Sequence, residues 1–128
     1  MSTRHAYDAT RRPPAPVLQA RLGRPGQDPA VLLAFLVDTG ADISVVPEAV
    51  ARELRLPATS QVSVRGVAGT LRSARVYAGE VETGGVRSLV EVVGIGDEAL
   101  IGRDLLNRWT LTLHGPQRVM DVVFKPAP

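Results

Sequence analysis

The 128-residue chain has no cysteine, which excludes a disulfide framework and any thiolate metal site. Histidine is almost as scarce. His5 and His114 are the two present, one in a tail-like stretch and one in a turn, and neither has a second histidine at ligand spacing. A zinc hydrolase is therefore not expected, and no Ser–His pairing is recognisable. Aromatic residues are 4 % of the chain, and none interleave with basic residues as on nucleic-acid-binding surfaces. Long apolar runs are missing too: the longest, Val31–Val37, is far too short to span a bilayer. Residues 1–16 lack the apolar stretch of a secretory signal. The expectation is a cytoplasmic protein with no membrane partner.

Turn formers, by contrast, are plentiful. Twelve glycines and ten prolines punctuate the chain often enough to favour an all-β or β-rich fold. The length suits one domain. Net charge is only +2, but Arg4, Arg11, Arg12, Arg21 and Arg24 crowd the N-terminal end with Asp8 as the one acid among them. With no binding motif beside them, these arginines read as a solvated tail and no nucleic-acid partner is expected. The chain divides into a flexible N-terminal arm over residues 1–14 and one folded domain over 15–128.

Hydrophobic patterning supplies the elements. Residues 17–22 read as a strand, and Val31–Val37 as a strand buried on both faces. Residues 43–46 continue extended. A short helix follows over 47–54, with Pro47 in its first turn and Arg52 near its negative end. Residues 62–65 and 71–77 flank the turn Gly66-Val67-Ala68-Gly69-Thr70 as a hairpin. Two more strands, 81–82 and 86–93, surround Gly84-Gly85. A second short helix is expected over 103–109, then an alternating strand, a Gly115-Pro116 turn and a closing strand over 119–124.

The chemistry-bearing residues sit at two places in this pattern. Asp38-Thr39-Gly40-Ala41-Asp42 directly follows the apolar run, and Leu100-Ile101-Gly102-Arg103-Asp104-Leu105-Leu106 comes later. With the glycine-bearing hairpin between them, in that order, these segments resemble the retropepsins, the retroviral and retroviral-like aspartic proteases that work as homodimers. The resemblance runs from about residue 16 to 109. The triplet alone is common by chance as a polar β-turn; behind an apolar strand and ahead of the second segment it is specific.

The resemblance implies an all-β, retropepsin-like closed barrel with one or two short helices, one lobe per chain. It implies an aspartic endopeptidase acting on polypeptide, with no metal and no cofactor. The triplet occurs once, and the chemistry needs two carboxylates sharing a proton, so the site would be assembled from two copies of the chain. Asp38, Thr39 and Gly40 would carry the reaction, and Gly66, Val67, Ala68 and Gly69 would form a flap over the substrate. Ala41, Asp42, Leu100, Ile101, Gly102 and Arg103 would support the loop, with Asp42 and Arg103 pairing through the guanidinium fork. The alternative keeps the fold without the catalysis, as a dimerisation or peptide-binding module. A phosphotransferase using Asp38 would lack a second acid and a phosphate cradle. Three departures from the viral pattern stand out: Ile43 where many viral enzymes have an acid, fewer glycines at the flap tip, and a longer C-terminal segment whose hairpin would take over the dimer contact.

Overall fold

The structure is a computed structural model and describes residues 2–124. Its strands are β1 (Ser2–Ala6), β2 (Val17–Gly23), β3 (Val31–Val37), β4 (Val45–Val46), β5 (Ala58–Arg65), β6 (Leu71–Thr83), β7 (Val86–Gly94), β8 (Leu100–Ile101), β9 (Thr110–His114) and β10 (Val119–Val123). Two short helices, α1 (Glu48–Glu53) and α2 (Arg103–Leu106), interrupt them.

Six strands close into a barrel in the order β2-β3-β8-β4-β7-β6, and β6 returns to β2 through Arg21↔Glu82, Leu22↔Val81 and Gly23↔Glu80. Alternation drives the closure. Leu18, Ala20 and Leu22 of β2 are buried while Gln19 and Arg21 face out, and Ser88, Val90 and Val92 of β7 are buried between exposed Arg87, Leu89 and Glu91, as a strand's period of two requires. These inward rows enclose Leu18, Leu22, Phe35, Val81, Val92, Ile101 and Leu105. The closed all-β barrel with one or two short helices expected from the sequence is what the chain forms, with two helices.

The arrangement around β8 positions the site. β8 lies between β3, to which it is parallel through Leu36↔Leu100 and Val37↔Ile101, and β4, to which it is antiparallel through Val45↔Leu100. The chain leaves β3, crosses the end of β8, and comes back as β4 on its far side. Residues 38–44 form that crossing. They are therefore held against residues 100–104 by the strand order itself.

Several elements differ from expectation. Residues 2–6 were expected in a flexible arm but form β1, antiparallel to β10, with β9 on the other side in a second, three-stranded sheet. Ser2–Ala6 has no apolar alternation, so its order comes from a distant partner: Arg4 clasps Asp121 through Nε at 2.7 Å and Nη2 at 3.0 Å. Met120 and Val122 fasten this sheet to the barrel core, and Trp109 meets Phe124 edge-on at 5.1 Å. β3 is not buried on both faces: Phe35 is buried, but Leu32 is 55 % exposed and Ala34 is exposed as well, on a face they share with the exposed Gln19 and Arg21 of β2. Residues 71–77 and 81–82 belong to one 13-residue strand, β6, carried through Ala78-Gly79-Glu80 by pairing with β7. The second helix ends at Leu106, and tight turns closed by Arg108 N–H to Leu105 C=O and Trp109 N–H to Leu106 C=O continue it.

Candidate active site

Asp38 is the first residue after β3. Its backbone N–H donates to Ile101 C=O at 3.0 Å, which fixes the loop to β8. Asp38 as a whole is half-buried. Its Oδ1 accepts the Gly40 N–H at 3.0 Å, and Ala41 N–H donates to Asp38 C=O at 3.2 Å. An added Cβ at position 40 would stand 3.3 Å from Asp38 Oδ1, a tight contact that the carboxylate would have to ease by a few tenths of an ångström. Asp38 Oδ2 and the exposed Thr39 hydroxyl have no hydrogen-bond partner among the described residues. The loop thus orients one carboxylate oxygen and leaves the other free.

The second segment locks the loop from below. Gly102 packs so tightly that an added Cβ would lie 2.8 Å from Ala41 C=O and 3.1 Å from the Ile43 backbone. Arg103 N–H donates to Ala41 C=O at 2.8 Å, and Arg103 Nη1 donates to Thr39 C=O at 2.7 Å. This corrects the expected Asp42–Arg103 pair. Both side chains are exposed, and within one chain the guanidinium is taken by the Thr39 carbonyl, an immovable acceptor presented by the loop backbone.

The residues that do bridge the two segments were not singled out from the sequence. Ser44 is fully buried; its Oγ–H donates to Asp104 Oδ1 at 2.7 Å and its N–H to Asp104 Oδ2 at 3.0 Å. Ser44 Oγ in turn accepts Gly102 N–H at 3.0 Å, and Asp104 Oδ1 accepts Leu105 N–H at 2.9 Å. A buried hydroxyl must be satisfied, and here it ties β4's entry to the start of α2. The only signal available was a serine just before an apolar pair and an acid beside Arg103.

Above the loop stands the hairpin of β5 and β6. β6 pairs with β7 from Arg75 onward, so Leu71, Arg72, Ser73 and Ala74 have β5 as their one neighbour and the hairpin projects beyond the barrel. Its tip is closed by Gly66 N–H to Thr70 C=O at 2.8 Å, with Ala68 at φ +63° and Gly69 at φ +75°. Residues 66–69, expected to form a flap, lie at the tip of this hairpin. Between the hairpin and the loop runs a groove of about 630 Å³, lined by Ala41, Asp42, Ile43 and Leu100 below and Val62, Val64 and Arg65 above. Ile101 is buried beneath it. The arrangement can receive an extended chain along the edge strand β5, over a floor that continues the loop carrying Asp38. The described residues contain no cluster of three or more His, Cys, Asp or Glu side chains.

A family model described as "gag-polyprotein putative aspartyl protease" matches residues 30–108, from β3 through the last turn after α2. No curated protein matches the chain in sequence. Among solved structures, the chain is similar to a retropepsin-like aspartic protease from Rickettsia conorii, with a TM-score of 0.69 at 18 % identity over 97 % of this chain and 91 % of that one. It is similar to the EIAV protease complexed with the inhibitor HBY-793, with a TM-score of 0.56 at 24 % identity over 73 % and 86 %. It is also similar to the simian foamy virus (mac) protease, at 0.51 and 22 % over 70 % and 89 %. At these identities the likeness is one of fold.

Proposed function

The chain belongs to the aspartyl protease family of gag polyproteins, and from that premise we propose that it is an aspartic endopeptidase whose site is completed by a second copy of itself. The observation that carries this reading is the state of Asp38: one oxygen oriented by Gly40 N–H, the other free, in a loop that floors a peptide-sized groove. One such carboxylate is half of the chemistry.

In the dimer the two Asp38 side chains meet across the twofold axis. Carboxylates about 3 Å apart cannot both be ionised, so they share one proton and titrate as a unit. The ionised member takes a proton from a water held between them, and the water oxygen bonds to the scissile carbonyl carbon. The protonated member donates to the developing oxyanion. The tetrahedral intermediate then breaks its C–N bond as the departing amine accepts a proton from the pair. The free Thr39 hydroxyl reaches its counterpart and keeps the loops in register. The hairpin above excludes water when substrate is in place.

Asp38→Asn should lower cleavage of an unfolded protein by at least about a hundredfold, since the amide cannot serve as base, while circular dichroism and sedimentation stay as in wild type. Adding Asp38→Asn chains to active chains should depress activity as mixed dimers form. Wild-type rates in the mutant would remove the aspartic mechanism. Full activity from a strictly monomeric sample would remove the shared site, and a folded dimer that cleaves nothing would leave the peptide-binding module.

A further inference from the structure

Between Arg55 and Gly79 the chain has no acidic residue, yet it carries Arg55, Arg65, Arg72 and Arg75. Three of these lie on the β5–β6 hairpin. Elsewhere arginines are mostly occupied. Arg4, Arg11, Arg52 and Arg87 meet carboxylates, and Arg24, Arg103 and Arg108 donate to backbone carbonyls. Arg65, Arg72 and Arg75 are exposed and have neither an ion pair nor a side-chain hydrogen bond among the described residues. Their charge supports nothing inside the chain.

Register separates their directions. Arg72 lies opposite Val64, and Ala74 opposite Val62. Ala74 and Val76 are buried, so Arg72, two residues before Ala74, shares the inner face of the hairpin. It stands at the outer end of the apolar wall that Val62 and Val64 give to the groove. Arg65, paired with Leu71, starts from the row opposite to that of Arg72, but it borders the same groove at the hairpin end of β5. Arg75, paired with Gln61, belongs to the outer row and does not line the groove, although it and Arg72 both border a separate hollow beside Gly94 and Ile95. The floor carries the opposite sign: Asp42 lines the groove, is exposed, and makes no ion pair among the described residues. An acidic substrate side chain is therefore repelled from the floor and attracted to the flap, while apolar side chains fit against Ile43, Val45, Val62, Val64 and Leu100.

We propose that the flap selects acidic polypeptide, with Arg72 and Arg65 receiving Asp or Glu side chains that flank an apolar residue in the groove. This rests on the peptidase reading above and names its substrate class. A guanidinium grips a carboxylate with two parallel donors, and a hairpin with unbalanced positive charge also draws acidic segments in from a distance, an effect that salt weakens. A nucleic acid or an anionic membrane would meet only a few charges here, with no aromatic residue on β5 or the hairpin tip to stack on or insert. The apolar groove beside Arg65 fits a peptide.

The test uses three peptides identical except for Glu, Gln or Lys flanking one apolar scissile pair. Wild type should cleave the Glu peptide with a kcat/KM about tenfold above the Lys peptide, the size of contrast that one half-exposed charge contact and its reversal give, and the ratio should shrink in high salt. Arg72→Glu with Arg65→Glu should invert the ratio, and the milder Arg72→Gln should bring it toward one. Arg75→Glu, of equal charge but on the outer face, should move it much less. The ratio is insensitive to the fraction of folded enzyme, so partial unfolding of a variant does not blur it. If wild type cleaves none of the peptides, the peptidase reading fails; binding of the same peptides to Asp38→Asn protein, followed by fluorescence anisotropy, still decides the acidic preference. Equal handling of Glu and Lys peptides in either measurement overturns the proposal. So does a shift by Arg75→Glu as large as that by Arg72→Glu, which would reduce the flap to a general anionic surface of the kind nucleic acid or membrane would use.

Discussion

The Asp38 loop and the β5–β6 hairpin, the proposed catalytic loop and flap, face each other across the same groove and are held in opposite ways. Residues 38–44 are tied at nearly every position: Asp38 to Ile101, Gly40 to the Asp38 carboxylate, Ala41 and Thr39 to Arg103, Ser44 to Asp104. The flap beyond Arg75 has its own partner strand and little else, with half-buried Val62 and Val64 as its apolar contact. Groups that must meet a reacting atom gain from being over-determined. Elements that open and close are drawn from the weakly held end of the molecule. Arg103 is spent on the Thr39 carbonyl of the loop, whereas Arg65, Arg72 and Arg75 of the hairpin have no partner among the described residues.

Substitutions on the loop side should be costly. Gly102→Ala drives a methyl to 2.8 Å from a backbone oxygen, and neither backbone yields easily. We expect a loss of about 2–3 kcal/mol, read by chemical denaturation, together with loss of activity. A loss under about 1 kcal/mol would show that the loop is softer than its bonds suggest. Ser44→Ala leaves the Gly102 N–H without its acceptor and Asp104 Oδ1 without one of its two donors, which should cost about 1–3 kcal/mol. Cysteine at position 44, similar in size but a weak hydrogen-bonding group, should restore little of it.

Smaller effects sharpen the contrast. Arg103→Ala removes one exposed, charge-assisted bond to Thr39 C=O and should cost about 1 kcal/mol. That is far below the cost of breaking a buried ion pair, so a loss above about 3 kcal/mol would reinstate a buried partner such as Asp42. On the flap, Ala68→Gly relieves a left-handed residue at φ +63° and should change stability by no more than about 1–2 kcal/mol. Its effect should appear in KM instead, because a looser tip orders less readily over substrate; an unchanged KM would mean that the tip takes no part in closure.

The smallest effect lies on the terminal sheet, where polar contacts are exposed and titratable. Asp121 is held down to about 2 from the usual 3.8, first by the hydrogen-bonded Arg4 fork and also by His114, against some desolvation. A carboxyl lowered in the folded state stabilises above its unfolded value and loses that contribution as pH falls through its folded one. The clasp between β1 and β10 should therefore be intact above about pH 4 and released toward pH 2. Asp121→Asn should flatten the acid limb of the stability curve over that interval. An unaltered acid limb would mean that the clasp adds nothing.

How much of this was legible in advance differs between the two sides of the groove and the sheet behind them. The barrel strands were readable because burial imposes a local period of two on β2 and β7, and α1 because its proline and charges sit at helix ends. Asp38, Gly40, Gly102 and the flap turn were readable because their spacing follows a recognisable motif. Ser44 and Asp104 were not, since nothing local in either residue announces a partner 60 positions away. Nor was β1, whose polar residues show no period and become a strand only by pairing with β10. The unbroken length of β6 was hidden for the same reason: Ala78-Gly79-Glu80 looks like a turn until pairing on both edges holds it extended.

The sequence by itself determined an all-β domain with one Asp-Thr-Gly loop behind an apolar strand and a glycine-flanked hairpin ahead of a Gly-Arg-Asp segment, because periodicity, turn chemistry and motif order are properties of neighbouring residues. Only the tertiary structure decided that β8 threads between β3 and β4 beneath that loop, that Arg103 holds Thr39 rather than Asp42, that Ser44 and Asp104 lock the two segments, and that the flap's arginines are left free. Each of these is a choice among several chemically equivalent partners, and that choice is made by which backbones the closed barrel brings within hydrogen-bonding distance.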